Sequence, residues 1–233
     1  MSLRARLRAW LVCRPQPKSL GDGPRILVVV EGPHDIEFLK RISMILHAHQ
    51  PGLPDLAGME RRGALVFVPF GGGDPWLWAD RLAALGLPEF HLYDRESPPE
   101  TELRQRVADA VNLRPRCRAV LTGKRSLENY LHPAAIREVS GIEVQFTDDD
   151  HVAELIAQRL HSQDRQALWA ALPRRTQTRR CNRVKKWLHA KAVDRMTPAR
   201  LAERDPQGEV VSWLATMARL AEESSSAKQF SGA

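Results

Sequence analysis

Apolar residues between positions 25 and 145 alternate between short continuous runs and stretches with a spacing of three or four residues. The continuous aliphatic run 26–30 suits a strand that is buried on both faces, and apolar runs at residues 64–70, 90–93 and 118–121 predict three further strands. The intervening stretches predict helices over residues 34–47, 74–85 and 100–111, and a further helix from 133. This alternation predicts an α/β fold with a mostly parallel sheet of about four strands, flanked by helices.

Beyond residue 146 the pattern changes to helical spacing alone. It predicts helices over residues 149–160, 164–171, 180–193, 197–204 and 208–222. The chain therefore divides into four predicted parts: a basic N-terminal tail (1–24), an α/β domain (25–145), a helical C-terminal region (146–222) and a disordered tail (223–233).

The composition is that of an ordinary globular protein with a basic surface. Of 233 residues, 43% are hydrophobic and 27% are charged, and the formal net charge is +7. A basic protein favours a polyanionic partner, although net charge alone does not specify one. Its three cysteines form no CxxC pair and favour a reducing, cytoplasmic location. No apolar run approaches the roughly 20 residues that cross a bilayer, so no membrane is expected among its partners.

Acidic residues follow three of the predicted strands where each strand ends. They are Glu31 and Asp35, Asp94 and Glu96, and Glu128. Glu31 ends the first strand, and the Gly-Pro turn after it begins the helix whose first turn holds Asp35. Because the carboxyl ends of parallel strands share one edge of the sheet, we expect one oxygen-rich pocket there. Such a pocket suits Mg²⁺ or Mn²⁺, and one or two of these ions can polarise a phosphodiester.

Each acid also has a structural alternative. Asp35 could simply favour a helix N-terminus, and Glu96 could cap the following helix. Glu128 could pair with Lys124 or Arg125 on the surface. Taken singly, each acid is more often structural, but their gathering at one sheet edge favours a metal site.

The segment 174–191 is strongly basic, with eight lysines and arginines and no acid. They are Arg174, Arg175, Arg179, Arg180, Arg183, Lys185, Lys186 and Lys191. These residues predict a surface that contacts nucleic-acid phosphates and brings them to an acidic pocket. The alternative is a solvated helix face whose Val184, Trp187 and Leu188 pack inward.

Three motifs resemble those of a known family. Val30-Glu31-Gly32-x-x-Asp35 and Tyr93-Asp94-Arg95-Glu96 are similar to motifs of the TOPRIM domain of topoisomerases, primases and several nucleases. Arg125-Ser-Leu-Glu128-Asn-Tyr-Leu131 narrows the resemblance to the TOPRIM half of the overcoming-lysogenisation-defect (OLD) nucleases and related phage-defence effectors. The resemblance covers about residues 25–140.

The resemblance implies a DNA-cutting centre with two ions, Mg²⁺ or Mn²⁺. By position, Glu31 and Asp35 would help to hold the first ion, Asp94 would serve both, and Glu96 and Glu128 would hold the second. Lys185 or Lys186 would stabilise the transition state, and the sequence does not choose between them.

Two features depart from the family pattern. The usual acid pair is Asp-x-Asp, whereas Glu96 here is one methylene longer. OLD proteins also carry an ABC-type ATPase, whereas Gly123-Lys124 lacks the flanking glycine and hydroxyl residue of a Walker A loop. An ATPase would therefore be a separate partner.

Two functions remain open from the sequence. The first is a metal-dependent DNA nuclease, and the second is a non-catalytic nucleic-acid-binding or regulatory module with the same fold. A dehydrogenase is excluded because no Gly-x-Gly-x-x-Gly follows the first strand. A primase is disfavoured because no cysteine pattern supports a zinc ribbon.

Overall fold

The computed structural model describes residues 23–71, 74–164 and 168–230. The predicted basic tail at the N-terminus, residues 1–24, lies almost wholly outside the described residues. In these three stretches no helix is long and apolar enough to span a membrane.

Within the described residues, four parallel strands form one sheet. In chain order they are β1 (Ile26–Val30), β2 (Leu65–Pro69), β3 (Glu89–Tyr93) and β4 (Cys117–Leu121). Their spatial order is β2-β1-β3-β4, with Val30 beside Pro69 and Tyr93 beside Leu121. The central strands β1 and β3 are buried along their whole length, as expected for strands covered on both faces. The predicted fold class is confirmed.

Helices flank the sheet. They are α1 (Pro33–His49), α2 (Leu56–Arg61), α3 (Trp76–Ala79), α4 (Glu100–Asn112) and α5 (Pro133–Ser140), with short 3-10 turns at Ala83–Leu85 and Leu127–Tyr130. Helix α1 begins at Pro33 because proline suits the first helical position. Its Phe38, Leu39 and Ile42 recur at helical spacing and are buried in the core.

The helix predicted over residues 74–85 is interrupted. Asp74 accepts a hydrogen bond from the Trp76 backbone N–H at 2.9 Å, but only the short α3 and a separate 3-10 turn form. The apolar residues of this segment do not share one buried face, since Leu77 is 64% exposed and Leu85 is 58% exposed. Helical stability in proteins comes mainly from burying such a face, so a continuous helix is not favoured here.

The C-terminal region is helical, as predicted. Its helices are α6 (Val152–Asp164), α7 (Arg174–Trp187), α8 (Pro198–Arg204) and α9 (Glu209–Phe230). A π-helical turn at Leu188–Ala192 and a 3-10 turn at Val193–Arg195 follow α7 directly.

Several helix boundaries in this region differ from the prediction, and α6 covers Val152–Asp164 rather than residues 149–160. The described part of 164–171 contains only a 3-10 turn, Trp169–Ala171, after the end of α6. The helix predicted from 180 begins earlier, at Arg174, because the Pro173 carbonyl accepts a hydrogen bond from the Thr176 N–H at 2.8 Å and closes a first turn.

Helix α9 runs further than the sequence pattern indicates. The sequence assigns residues 223–233 to a disordered tail, but the helix continues through Phe230. Ser224 is buried, so the first part of the predicted tail still packs against the molecule.

The helical region packs on the same face of the sheet as α1. Val28 and Val30 of β1 share one buried cluster with Leu188, which follows α7, and with Trp213 of α9. The opposite face of the sheet is covered by α3 and α4. This arrangement places the end of α7 beside the carboxyl edge of the sheet, where Lys185 reaches the strand-end acids.

Candidate metal centre

The structure brings three strand-end acids together. Glu31, Asp94 and Glu96 each offer a carboxylate oxygen, and these oxygens all lie within 4.8 Å of one another. Glu31 follows β1 and Asp94 follows β3, two neighbouring parallel strands. The oxygens are therefore close enough to share one hard cation.

An arginine that the sequence analysis missed holds this group in place. Arg104 of α4 donates from Nη1 to Glu31 Oε2 at 3.3 Å and to the Asp94 carbonyl oxygen at 2.8 Å. The Glu31 carbonyl in turn accepts from the Gly71 N–H at 2.8 Å, which fixes the end of β1 against the end of β2. No sequence motif marks Arg104, so its contacts with Glu31 and Asp94 could not be predicted before the fold was known.

A second group of acids surrounds Lys185. Its Nζ lies 3.4 Å from Glu128 Oε1, 3.8 Å from Asp94 Oδ2 and 4.0 Å from Asp35 Oδ1. All three acids are buried. Lys186, which the sequence could not distinguish from Lys185, is exposed. Asp94 therefore belongs to both groups of oxygens, and Lys185 is the lysine at the centre.

His189, which is not among the site residues predicted from the sequence, completes this second group. It is fully buried, with Nε2 at 3.1 Å from Glu128 Oε1 and Nδ1 at 3.9 Å from Asp35 Oδ1. The π-helical turn Leu188–Ala192 begins one residue earlier, and such turns are frequent at functional sites. The spacing of four residues from Lys185 was the available signal, because residues i and i+4 share a helix face.

Several polar atoms in this group have no hydrogen-bond partner. Among the residues that the structure describes, these are Asp35 Oδ1, Asp94 Oδ2, Glu128 Oε1 and both ring nitrogens of His189. A buried polar atom without a partner costs about 1–3 kcal/mol, and more when it is charged. Carboxylate oxygens and a ring nitrogen are also metal ligands. The donor set therefore fits a divalent cation.

The electrostatics of the group reflect crowded negative charge. Burial raises the pKa of Asp94 well above its ordinary value, and the neighbouring carboxylates add to this while Lys185 opposes it. The pKa of Asp35 is raised as well, mainly by burial. Burial alone would raise the pKa of Glu128, but Lys185 and His189 hold it well below its ordinary value. One ammonium is thus shared among several acids.

Glu96 occupies a strained position at the edge of this centre. Its φ of +57° lies in the left-handed region that favours glycine, and its backbone N–H donates to the Arg125 carbonyl at 2.9 Å. Its side chain pairs with Arg125, whose Nε lies 3.6 Å from Oε2. Glu96 does not cap α4, whose N-terminus has no side-chain cap, so that structural alternative is wrong. Strain of this kind is often associated with function.

The other structural alternatives have mixed outcomes. Asp35 Oδ2 accepts from the Gly32 N–H at 2.8 Å, so one of its oxygens does serve the helix start while Oδ1 faces the acid group. Glu128 is buried rather than paired on the surface: Lys124 Nζ lies 2.7 Å from Asp148 Oδ2, and Arg125 Nε lies 3.6 Å from Glu96 Oε2. Asp35 thus combines both roles, and the surface pair proposed for Glu128 with Lys124 or Arg125 is wrong.

A polar cleft of about 400 Å³ opens beside the acids. One face of α7 lines it with Arg174, Gln177, Thr178, Cys181 and Lys185, and the loop after β4 adds Arg125 and Ser126. Glu96 and Glu128 also line it. The cleft therefore connects the acid groups with cationic and hydrogen-bonding side chains.

The basic segment 174–191 contains residues that are exposed to solvent and residues that contact other side chains. Exposed are Arg174, Arg175, Arg179, Arg183, Lys186 and Lys191. Arg180 is half-buried, with Nη1 at 3.0 Å from His161 Nδ1, and Lys185 lies in the acid group. Val184 and Leu188 pack inward, as the structural alternative predicted, so the same helix supplies both a core face and a basic face.

Together these features define an α/β protein with an acid-rich candidate metal centre at the carboxyl edge of a parallel sheet. The chain is similar to a solved structure of the C-terminal region of the OLD protein of Xanthomonas campestris pv. campestris, with 11% identity over 90% of this chain and 98% of that chain, at a TM-score of 0.45. A second structure of the same region has 14% identity, the same coverage and a TM-score of 0.36. No protein-family model and no curated protein matches the chain. Because both TM-scores are below 0.5, we infer the function from the residues of this chain.

Proposed function

We propose that this protein is a divalent-metal-dependent nuclease that cuts or nicks DNA phosphodiesters. The observation that carries the proposal is the convergence of five acids and Lys185 at one sheet edge, where three carboxylate oxygens among the described residues have no hydrogen-bond partner. The Lys185 ammonium lies within 4.0 Å of all three oxygens, but one positive charge does not neutralise three buried carboxylates, so a further cation would stabilise the group.

The acids would hold the ions as two overlapping sets. Glu31, Asp94 and Glu96 would hold one Mg²⁺ or Mn²⁺, and Asp35, Asp94 and Glu128 would help to hold a second. When bound, such ions polarise the phosphodiester and stabilise the charge that develops on its oxygens. Asp94 Oδ1 accepts from the Leu127 N–H at 3.2 Å, and Oδ2 lies 3.8 Å from Lys185 Nζ, so this carboxylate is held where the two sets meet.

The remaining residues of the cleft would position the substrate. Lys185 Nζ carries a positive charge at the junction of the acids and the cleft, where it can stabilise developing negative charge on a phosphoryl group. Arg125 and Arg174 line the same cleft and would contact flanking phosphates. The exposed arginines of α7 extend this positive surface and favour a polyanionic substrate.

The test is cleavage of supercoiled plasmid with Mg²⁺ or Mn²⁺. We expect nicked or linear product from the wild-type protein, no product in EDTA, and at least a 100-fold loss of rate in Glu31→Ala and Asp94→Ala. Glu102→Ala, which removes an exposed carboxylate from α4, is the matched control and should retain activity. Metal-dependent cleavage that survives both Glu31→Ala and Asp94→Ala would overturn the proposal.

A non-catalytic nucleic-acid-binding module is the second candidate. One observation favours it: the Lys185 ammonium already lies among Asp35, Asp94 and Glu128, and could serve as a permanent structural counter-charge. In that case DNA binding should persist in EDTA and fall with salt, and no divalent ion should yield product. The plasmid assay and a binding assay on the same preparation separate the two functions.

The proposed biological setting is phage defence with a separate ABC-type ATPase, and it follows from the family resemblance of the motifs. The measurement is copurification of such an ATPase with the tagged protein, followed by plasmid cleavage with and without ATP. Stimulation by ATP in the complex would support this setting. Cleavage by the purified chain alone that the ATPase and ATP leave unchanged would contradict it.

A further inference from the structure

His189 is a buried histidine whose nitrogens both face acids. The ring is fully buried, with Nε2 3.1 Å from Glu128 Oε1 and Nδ1 3.9 Å from Asp35 Oδ1. Nε2 lies within hydrogen-bond distance of Glu128 Oε1 but is not aligned for a regular hydrogen bond, and Nδ1 has no hydrogen-bond partner within the described part of the chain. A buried imidazole normally satisfies at least one nitrogen with a carbonyl, a hydroxyl or a carboxylate, so this arrangement calls for a further ligand.

Packing explains the ring of His189 but not its nitrogens. The ring centroid lies 5.5 Å from that of Phe38 and 6.4 Å from that of His34, so the imidazole packs in an aromatic environment. A phenylalanine would fill this volume without bringing two polar atoms into the core. The nitrogens therefore have a role that hydrophobic packing does not supply.

The position of His189 is fixed by the backbone rather than by a flexible stem. It lies in the π-helical turn Leu188–Ala192, one helical turn beyond Lys185, and Leu188 and Ala192 on either side are buried. An imidazole has only two side-chain torsions, so a buried ring on a packed turn is a preorganised donor. Preorganised donors are what a metal centre requires.

We propose that His189 is a nitrogen ligand of the ion that Asp35 and Glu128 help to hold, and that it makes this half of the centre selective for Mn²⁺ over Mg²⁺. This inference rests on the proposed function, which places an ion there. Mg²⁺ binds oxygen ligands and retained waters, whereas Mn²⁺, although it also favours oxygen, is a transition-metal ion that accepts an imidazole nitrogen more readily than Mg²⁺ does. The oxygen group Glu31, Asp94 and Glu96 has no such nitrogen and would accept either ion.

The ammonium group of Lys185 lies close to the position proposed for this ion. Its Nζ lies within 4.0 Å of both Asp35 and Glu128, where it would repel a cation bound between them. Its side chain is 25% exposed and also lines the cleft, so its long stem offers a path outward. With an ion held at His189, repulsion would favour a position of the Lys185 ammonium nearer the substrate cleft, which this residue already lines.

The wild-type protein can be tested directly by spectroscopy. Mn²⁺ is bound to protein carrying ¹⁵N-labelled histidine, and pulsed electron paramagnetic resonance measures coupling between the metal and a ring nitrogen. We expect a directly bound ¹⁵N coupling in the wild type, its loss in His189→Phe, and its retention in His34→Phe, the matched control with the neighbouring ring. Saturable Mn²⁺ binding with no nitrogen coupling would overturn the proposal.

Calorimetric titrations supply the second readout. In His189→Phe we expect the affinity of one Mn²⁺ site to fall at least 10-fold, while Mg²⁺ binding changes less than 2-fold. Equal losses for both ions, or none for Mn²⁺, would overturn the proposed selectivity. Nitrogen coupling without plasmid cleavage would contradict the nuclease proposal alone, whereas cleavage without nitrogen coupling would contradict only the role of His189.

Discussion

Replacing Lys185 by methionine is predicted to unbalance the buried acids. The Nζ atom lies 3.4 Å from Glu128 Oε1 and 3.8 Å from Asp94 Oδ2. Methionine keeps most of the apolar stem and removes the charge, so the effect reports the ion pairs more than the packing. Lys186, the next residue of the same helix, is exposed, and Lys186→Met is the matched control.

The magnitude follows from these distances. Two unit charges 3.4 Å apart attract by roughly 5 kcal/mol at an effective dielectric constant of about 20. Desolvation of the ammonium offsets part of this attraction, and protonation of Asp94, whose pKa is raised by burial, limits the strain after the ammonium is lost. We expect the free energy of unfolding to fall by about 3 kcal/mol without divalent ions, which lowers Tm by roughly 6–12 °C.

The assay is urea unfolding followed by tryptophan fluorescence, in EDTA and in Mn²⁺. Mn²⁺ should restore much of the stability that Lys185→Met loses, because a cation bound only to the folded state can replace the missing charge. Lys186→Met should change the free energy of unfolding by less than about 0.5 kcal/mol in either buffer. Equal effects of the two substitutions, or a Lys185→Met protein as stable as the wild type in EDTA, would refute the reasoning.

Three further predictions concern Glu89 at the start of β3, Arg104 beside the centre and Arg183 on α7. Burial would raise the pKa of Glu89, but hydrogen bonds with His91 and Arg114 hold it below its ordinary value, so its ionised form stabilises the fold. Urea unfolding should therefore show that Glu89→Gln is less stable than the wild type by about 2 kcal/mol at pH 7. This difference should shrink as the pH falls below about 4, because the carboxylate becomes protonated. A difference that does not change with pH would contradict this role of Glu89. Arg104→Ala should lower Mn²⁺ affinity about 10-fold by calorimetry, whereas Arg106→Ala, an exposed control on the same helix, should not. Arg183→Ala should weaken DNA binding and reduce its logarithmic salt slope by about 1; an unchanged slope would exclude a phosphate contact.

Local patterns in the sequence were sufficient to predict the framework of the fold. The continuous run from Ile26 to Val30, followed by Glu31 and a Gly-Pro turn, defines a strand end and a helix start without tertiary information. The same reasoning located the other three strands to within one residue at each end. Because parallel strands end at a common edge, the meeting of Glu31 with Asp94 was also predictable.

Other features depended on packing that no local pattern records. The choice between Lys185 and Lys186 depends on how α7 is rotated against α1 and the sheet. Because the segment contains eight basic residues, its sequence pattern does not indicate which of them faces the acids. The spacing of four residues from Lys185 places His189 on the same side of the helix, but its burial against Phe38 in a π-helical turn depends on tertiary packing. The segment after Asp74 has residues that are typical of helix ends, but its apolar residues do not form one buried face. Only the short helix α3 therefore forms there.

The most direct test of the central claim is the position of Mn²⁺ in crystals grown with this ion, located by anomalous diffraction at the manganese edge. The proposed centre predicts a peak within about 2.5 Å of carboxylate oxygens from both Glu31 and Asp94. Manganese found only at surface carboxylates, with the oxygens of Glu31 and Asp94 bound to no ion, would contradict the account.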